Sequence, residues 1–294
     1  MKIHIAERSE IEKKGTVEDI VQVYEVEELV DPESLTVNIP RSYLPIFMPF
    51  RYCCAGGTML IRRLCVYLRD IGYEVNVVKD FLSVKKYQRA AEYYENSFDS
   101  SEAAPGNSTM DQYLIEVSKN NNSICYILDM QGEMQAHNPR ARKNPGSLFM
   151  QIVCGDNPII WGIIIEKEIK HRNIDIDNYR NSIARIKKLM KPFDKIIMIF
   201  NKIDETSFML SPCTVNKKGA YVYAREKYSD IFNLFQTPNC FQRLVHPYSF
   251  DFVTFSTGTY SFVDGRQGYY YAKSNNCFPM TLWEHIVKFC NYNR

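Results

Sequence analysis

The chain is poor in several things, and each shortage removes a class of protein. Its nine cysteines include no CxxC pair and no His–Cys spacing of the zinc type, so neither a zinc module nor a paired-thiol redox site is indicated. Their odd number, and the position of Cys125 inside the apolar run SICYILD, point to reduced, buried thiols of a cytosolic protein. The five histidines (His4, His137, His171, His246, His285) are scattered and form no HExxH. No apolar run approaches the roughly 20 residues that a bilayer span requires. The longest of membrane-like composition is IIWGIII, over 159–165. MKIHIAERSE lacks the apolar core of a signal peptide. The net charge is only +2, which gives no footing for nucleic acid. No internal repeat and no strongly biased segment appears. The expectation is a cytoplasmic protein with neither a membrane nor a nucleic-acid partner.

What is present is the material of a large core. Hydrophobic residues make up 45% of 294 and aromatics 13%, a globular composition. Charge is uneven. Residues 1–35 carry ten acids against Lys2, Arg8, Lys13 and Lys14, which leaves −6 there and +8 on the rest. Residues 1–40 therefore read as an acidic N-terminal extension closed by Pro40, and 41–294 as the main domain.

Along that domain, strands and helices alternate. YLPIFMPF (43–50) is an apolar run, followed by the loop RYCCAGG and a helical pattern through Met59, Leu60, Leu64, Val66, Leu68 and Ile71. VNVV (75–78) is a second strand. A tyrosine-rich helical stretch and a polar loop come next. MDQYLIEVS and SICYILD, joined by three asparagines, then form a hairpin. IIWGIIIE is a further strand. DIDNYRNSIARIKKLM puts Tyr179, Ile183, Ile186 and Leu189 on one helical face, with Asp175 or Asp177 as cap. VTFSTG reads as a last strand, YSFVDGRQGYYYAKS as a hairpin whose tyrosines could meet a partner, and MTLWEHIVKFC as a closing helix. The alternation predicts a three-layer α/β/α fold with a mostly parallel sheet.

Three of these strands end on chemistry. KIIMIFNKIDE stops on Asn201, Lys202 and Asp204; ILDMQGE stops on Asp129, Gln131 and Gly132; RYCCAGGT places Gly56, Gly57 and Thr58 between a strand and a helix. Ligands of open α/β sheets bind outside the carboxyl ends of the strands, so all three stretches belong to one edge.

In order and spacing these motifs resemble P-loop GTPases, in particular bacterial members of the translation-factor-like and Ras-like (TRAFAC) class. The resemblance implies a P-loop NTPase-like, G-domain fold and binding of GTP or GDP with Mg²⁺. It gives Asp204 the reading of guanine through its N1–H and exocyclic amine, which adenine does not offer as a donor pair. Asn201 would brace the loop, the Lys202 stem would cover the base, and Ser256 and Thr257 lie where the family presents an amide to the guanine oxygen. Thr58 would serve magnesium directly and Asp129 through water, with Thr109 as a further ligand, and the Gly132 amide would meet the γ-phosphate. Glu133 stands at the position of the water-orienting glutamine, with Gln131 beside it. The phosphate loop departs from the family. In the pattern G-x-x-x-x-G-K-[ST], Arg51 replaces the first glycine and Gly57 the lysine, and Arg51, Arg62 and Arg63 are the candidate substitutes. Slow or absent hydrolysis follows, in a switch or assembly component whose partner is another protein. The alternative is a nucleotide-free pseudo-GTPase acting as an interaction module.

Overall fold

Strands form where the chain is apolar on both faces. In the computed structural model, β1 (Ile46–Phe50), β5 (Ile159–Glu166) and β6 (Lys195–Asn201) are buried along almost their whole length, the mark of a sheet covered on both sides. The structure describes residues 36–52, 55–82, 85–96, 98, 112–130, 147–168, 176–237, 248–262 and 269–291. Most of the acidic extension, residues 1–35, falls outside that set. Within it, Val37 bridges Leu82 and Asn38 N donates to Phe81 O.

The main sheet has seven strands in the order β2-β3-β4-β1-β5-β6-β9, with β2 at Glu74–Val77, β3 at Tyr113–Lys119, β4 at Asn122–Asp129 and β9 at Asp251–Thr254. From β4 through β9 the pairings are parallel, while β3 runs antiparallel to β2 and β4. The β3–β4 hairpin turns on Asn120 and Asn121, both at positive φ (53° and 62°), which asparagine tolerates better than most residues.

Helix α1 (Gly57–Asp70) leaves the end of β1, and α7 (Cys277–Asn291) packs beside it. Helix α2 (Lys85–Asn96) follows β2, and a short α3 (Ser147–Val153) precedes β5. Helix α4 (Ile176–Leu189) links β5 to β6 and packs against α6 (Ser229–Leu234), with α5 (Lys217–Lys227) just before it in the chain. Two small hairpins complete the described strands: β7 (Met209–Ser211) with β8 (Thr214–Val215), and β10 (Gly258–Phe262) with β11 (Tyr269–Lys273). The expected three-layer α/β fold with a mostly parallel sheet is the one observed. Two details differ: Ile71 lies just past the end of α1 and is exposed, and Asp177 sits inside the first turn of α4, where it pairs with Arg180. Asp175 lies outside the described residues.

The strand order reverses at β1. From there the chain runs out to β2, β3 and β4 on one side and later to β5, β6 and β9 on the other. Pro49 lies in this central strand, where proline cannot donate to a ladder. The β1–β4 register ends at Phe47↔Ile127, whereas β1–β5 continues to Phe50↔Ile163. Beyond Phe47 it is the Arg51 side chain, just past β1, that reaches Asp129 and Met130 at the end of β4.

Candidate functional site

At the head of α1, Gly56 takes a left-handed conformation (φ 73°) and its carbonyl accepts from Leu60 N at 2.9 Å. A Cβ on Gly57 would fall 1.8 Å from Arg51 Nη1 and 2.5 Å from its Cζ, so the guanidinium lies directly against the backbone of the first helical turn. From there a single nitrogen, Arg51 Nη2, donates at 2.9 Å to Thr58 Oγ1, to Asp129 Oδ1 and to Met130 O. Arg51 and Asp129 are both buried, and Asp129 is sealed completely. Its second oxygen accepts from Tyr94 OH on α2 at 2.7 Å, and Thr58 Oγ1 lies 3.4 Å from Oδ1. Burial, then the neighbouring carboxylate, raises the Tyr94 phenol well above its ordinary value, so it remains a proton donor.

The two residues expected as magnesium ligands, Thr58 and Asp129, are thus bridged by the Arg51 guanidinium. Among the described residues no cluster of three His, Cys, Asp or Glu could hold a metal ion. The other two arginines named as substitutes for the lysine turn away. Arg63 donates to Ser274 O at 2.8 Å and to Asn276 Oδ1, and burial lowers its pKa. Arg62 lies over the Tyr271 ring, 5.7 Å from its centroid. Both belong to the junction of α1 with β11 and the loop after it.

The end of β6 is built as a clasp. Asn201 is fully buried and its Nδ2 donates to Ala55 O at 2.9 Å, which ties the Asn-Lys-Ile-Asp turn to the glycine loop. Ile203 N donates to Phe255 O at 3.1 Å, which ties the same turn to the loop carrying Ser256 and Thr257. Those two are buried, and Thr257 O accepts from Tyr271 OH at 2.5 Å. Gly258 closes that loop at φ 130°, where a Cβ would strike Ala272 O at 2.1 Å. Asp204 sits on a short 3₁₀ turn (Ile203–Glu205) and is half-buried. Its carboxylate makes no hydrogen bond or ion pair with another described residue.

Lys202 is in the left-handed region (φ 54°), and its ammonium lies 3.0 and 3.1 Å from the two oxygens of Glu166, at the end of β5. Burial raises the Glu166 pKa, and Lys202 opposes that rise. The pair lines a cavity of about 100 Å³ with Lys167, Glu168 and Glu205. Thr109, Gln131, Gly132 and Glu133 lie outside the described residues, as do Cys53 and Cys54 of the glycine loop.

Two participants were not anticipated from the sequence. Glu166 closes a buried run just as Asp129 and Asn201 do, a signal that was available. Tyr94 had none, being one of several tyrosines in a charged helical stretch.

No protein-family model matches the chain, and no curated protein is similar to it in sequence. Among solved structures it is similar to the nucleolar GTP-binding protein 1 of Plasmodium falciparum (12% identity, 88% of this chain and 91% of that one, TM-score 0.44). It is likewise similar to a chloroplast translocon GTPase (7% identity, 86% and 85%, TM-score 0.47). A third is the GTPase-like domain of S. cerevisiae Ski7 bound to GDP and phosphate (12% identity, 86% and 51%, TM-score 0.42). The chain spans about half the length of that last structure. Likenesses this distant carry no argument about the site, which stands on the chain's own strand order and side chains.

Proposed function

We propose that this chain is a guanine-nucleotide-binding, GTPase-like domain, working as a switch or assembly component with slow or absent hydrolysis. The observation that carries this reading is the clasp at the base end. Asn201 joins the glycine loop to the Asn-Lys-Ile-Asp turn, Ile203 joins that turn to the Ser256–Thr257 loop, and the Asp204 carboxylate beside them has no partner among the described residues. A half-buried carboxylate that only accepts hydrogen bonds suits a base edge presenting two N–H donors, which guanine has and adenine lacks. Asp204 would hold the base, while Gly56, Gly57 and the start of α1 would offer amides to phosphate. Gln131 and Glu133 are the candidates for positioning water, and the partner proposed is another protein in the cytoplasm.

Base choice tests the reading. Asp204→Asn should weaken GTP binding by roughly 10- to 150-fold, as loss of a charge-assisted hydrogen bond would, and should shift preference toward xanthosine nucleotides. Equal affinity of the wild type for ATP and GTP in titration calorimetry would remove the assignment.

A second reading, the nucleotide-free pseudo-GTPase, is favoured by one feature: the cations of the site already have internal partners, Arg51 on Asp129 and Lys202 on Glu166. Purified protein that carries no nucleotide and gains no thermal stability from GTP would establish that reading instead.

A further inference from the structure

The phosphate end of the site presents a disagreement between the magnesium its motifs imply and the residues that stand there. Magnesium demands oxygen ligands at about 2.0–2.1 Å in near-ideal octahedral order. Here Thr58 Oγ1 and Asp129 Oδ1 share one guanidinium nitrogen, 2.9 Å from each, and the other Asp129 oxygen is taken by Tyr94. An arginine cannot shed its charge, so a divalent ion on Thr58 Oγ1, with its water on Asp129 Oδ1, would meet a fixed positive group in a buried, weakly screened place. The residues do not fit the metal.

Resting on the nucleotide-binding reading above, we propose that Arg51 is the resident cation of this site, standing in for both magnesium and the missing phosphate-loop lysine, so that a nucleoside di- or triphosphate binds without metal. Three features place it in that role. Its guanidinium lies against Gly57, the position from which the family's lysine would project. It bridges the two side chains that the family gives to the metal. It also occupies the amino end of α1, where the helix dipole and free amides favour an anion. Arg63 instead donates to Ser274 O, and Arg62 lies over the Tyr271 ring. Gly57 is then no defect in a phosphate loop. It is the space that the guanidinium needs.

The test is titration calorimetry of the full chain with GTP and with GDP, in EDTA and in millimolar magnesium. Wild-type affinity should be the same in both buffers. Arg51→Gln should lose roughly 10- to 150-fold in EDTA and recover part of that loss when magnesium is added. Removing the arginine alone strands the Asp129 charge, so the double variant Arg51→Gln/Asp129→Asn, which keeps the pocket neutral, is measured alongside and should show the same loss in EDTA. Wild-type binding that strengthens tenfold or more (about 1.4 kcal/mol) with magnesium would overturn the inference and leave the guanine-nucleotide reading intact. Undiminished binding by both variants in EDTA would do the same. No binding by wild type in either buffer would overturn both.

Discussion

A Cβ atom at position 57 has nowhere to go: Arg51 Nη1, Cδ and Cζ would lie 1.8, 2.2 and 2.5 Å away. Gly57→Ala must therefore drive the guanidinium off Thr58, Asp129 and Met130, leaving a sealed carboxylate without its cation. Removing one member of a buried ion pair costs about 3–5 kcal/mol, and that is the expected loss in urea denaturation. In an Arg51→Ala background the clash is gone, and alanine in a helix exceeds glycine by about 0.5–1 kcal/mol. The same substitution should there be neutral or stabilising, a reversal of sign that only a contact between the two residues produces. Equal costs in both backgrounds would refute the account. The sequence could name Arg51, Arg62 and Arg63 as possible substitutes for the lysine but could not separate them. The choice is made by the reach of Arg51 to Thr58, Asp129 and Met130, while Arg63 bonds Ser274 and Arg62 lies over Tyr271, and these are tertiary facts. Asp129, Asn201 and Asp204 were legible because a polar residue ending a fully buried strand has few places to be.

Strand β9 and helix α7 are joined by charge as well as packing. Asp251 Oδ2 accepts from His285 Nδ1 at 2.7 Å and from Lys288 Nζ at 3.2 Å. The histidine hydrogen bond, followed by the lysine, holds the Asp251 carboxyl below its ordinary value, with burial opposing. A depressed folded value stabilises the protein above the unfolded carboxylate value of about 3.9, and the contribution is lost as pH falls through the folded value. Asp251→Asn should therefore melt below wild type at neutral pH, and the gap should close on acidification below about pH 4. A gap that stays constant with pH would assign the loss to packing. The strands were largely legible as elements, since β1, β4, β5 and β6 are unbroken apolar runs. Three helices were not. Helix α3 has only seven residues, too few to show a period. Helix α5 buries only Ala220 and Ala224, which leave little apolar rhythm, although Asn216 caps it by accepting from Gly219 N at 2.9 Å. Helix α6 is a six-residue piece following directly on α5, and the β7–β8 hairpin is short and mostly exposed.

The two halves of the sheet meet at β1 and β5, and one residue from outside the sheet grips both. Tyr179 of α4 places its hydroxyl 3.0 Å from Phe50 O and 2.8 Å from Ile164 O, at the carboxyl ends of those two strands. Its ring stacks on Phe50 (5.8 Å, 8°) and meets Tyr52 edge-on (5.2 Å, 84°), so it braces the residues on either side of Arg51. Burial raises the Tyr179 phenol well above its ordinary value, which keeps the hydroxyl a donor. Tyr179→Phe retains both ring contacts and removes only the hydroxyl, at a cost of about 0.5–1.5 kcal/mol for a buried hydrogen bond. Because the lost bond spans the point from which the chain winds outward in both directions, the whole described fold should weaken together. Far-ultraviolet dichroism, which sees the helices, and fluorescence of Trp161 on β5 and Trp283 on α7 should shift to lower urea by the same amount, with unchanged slope. A fluorescence midpoint that moved alone would mean that Tyr179 steadies only the β5 side, and that the two halves of the sheet hold together without it.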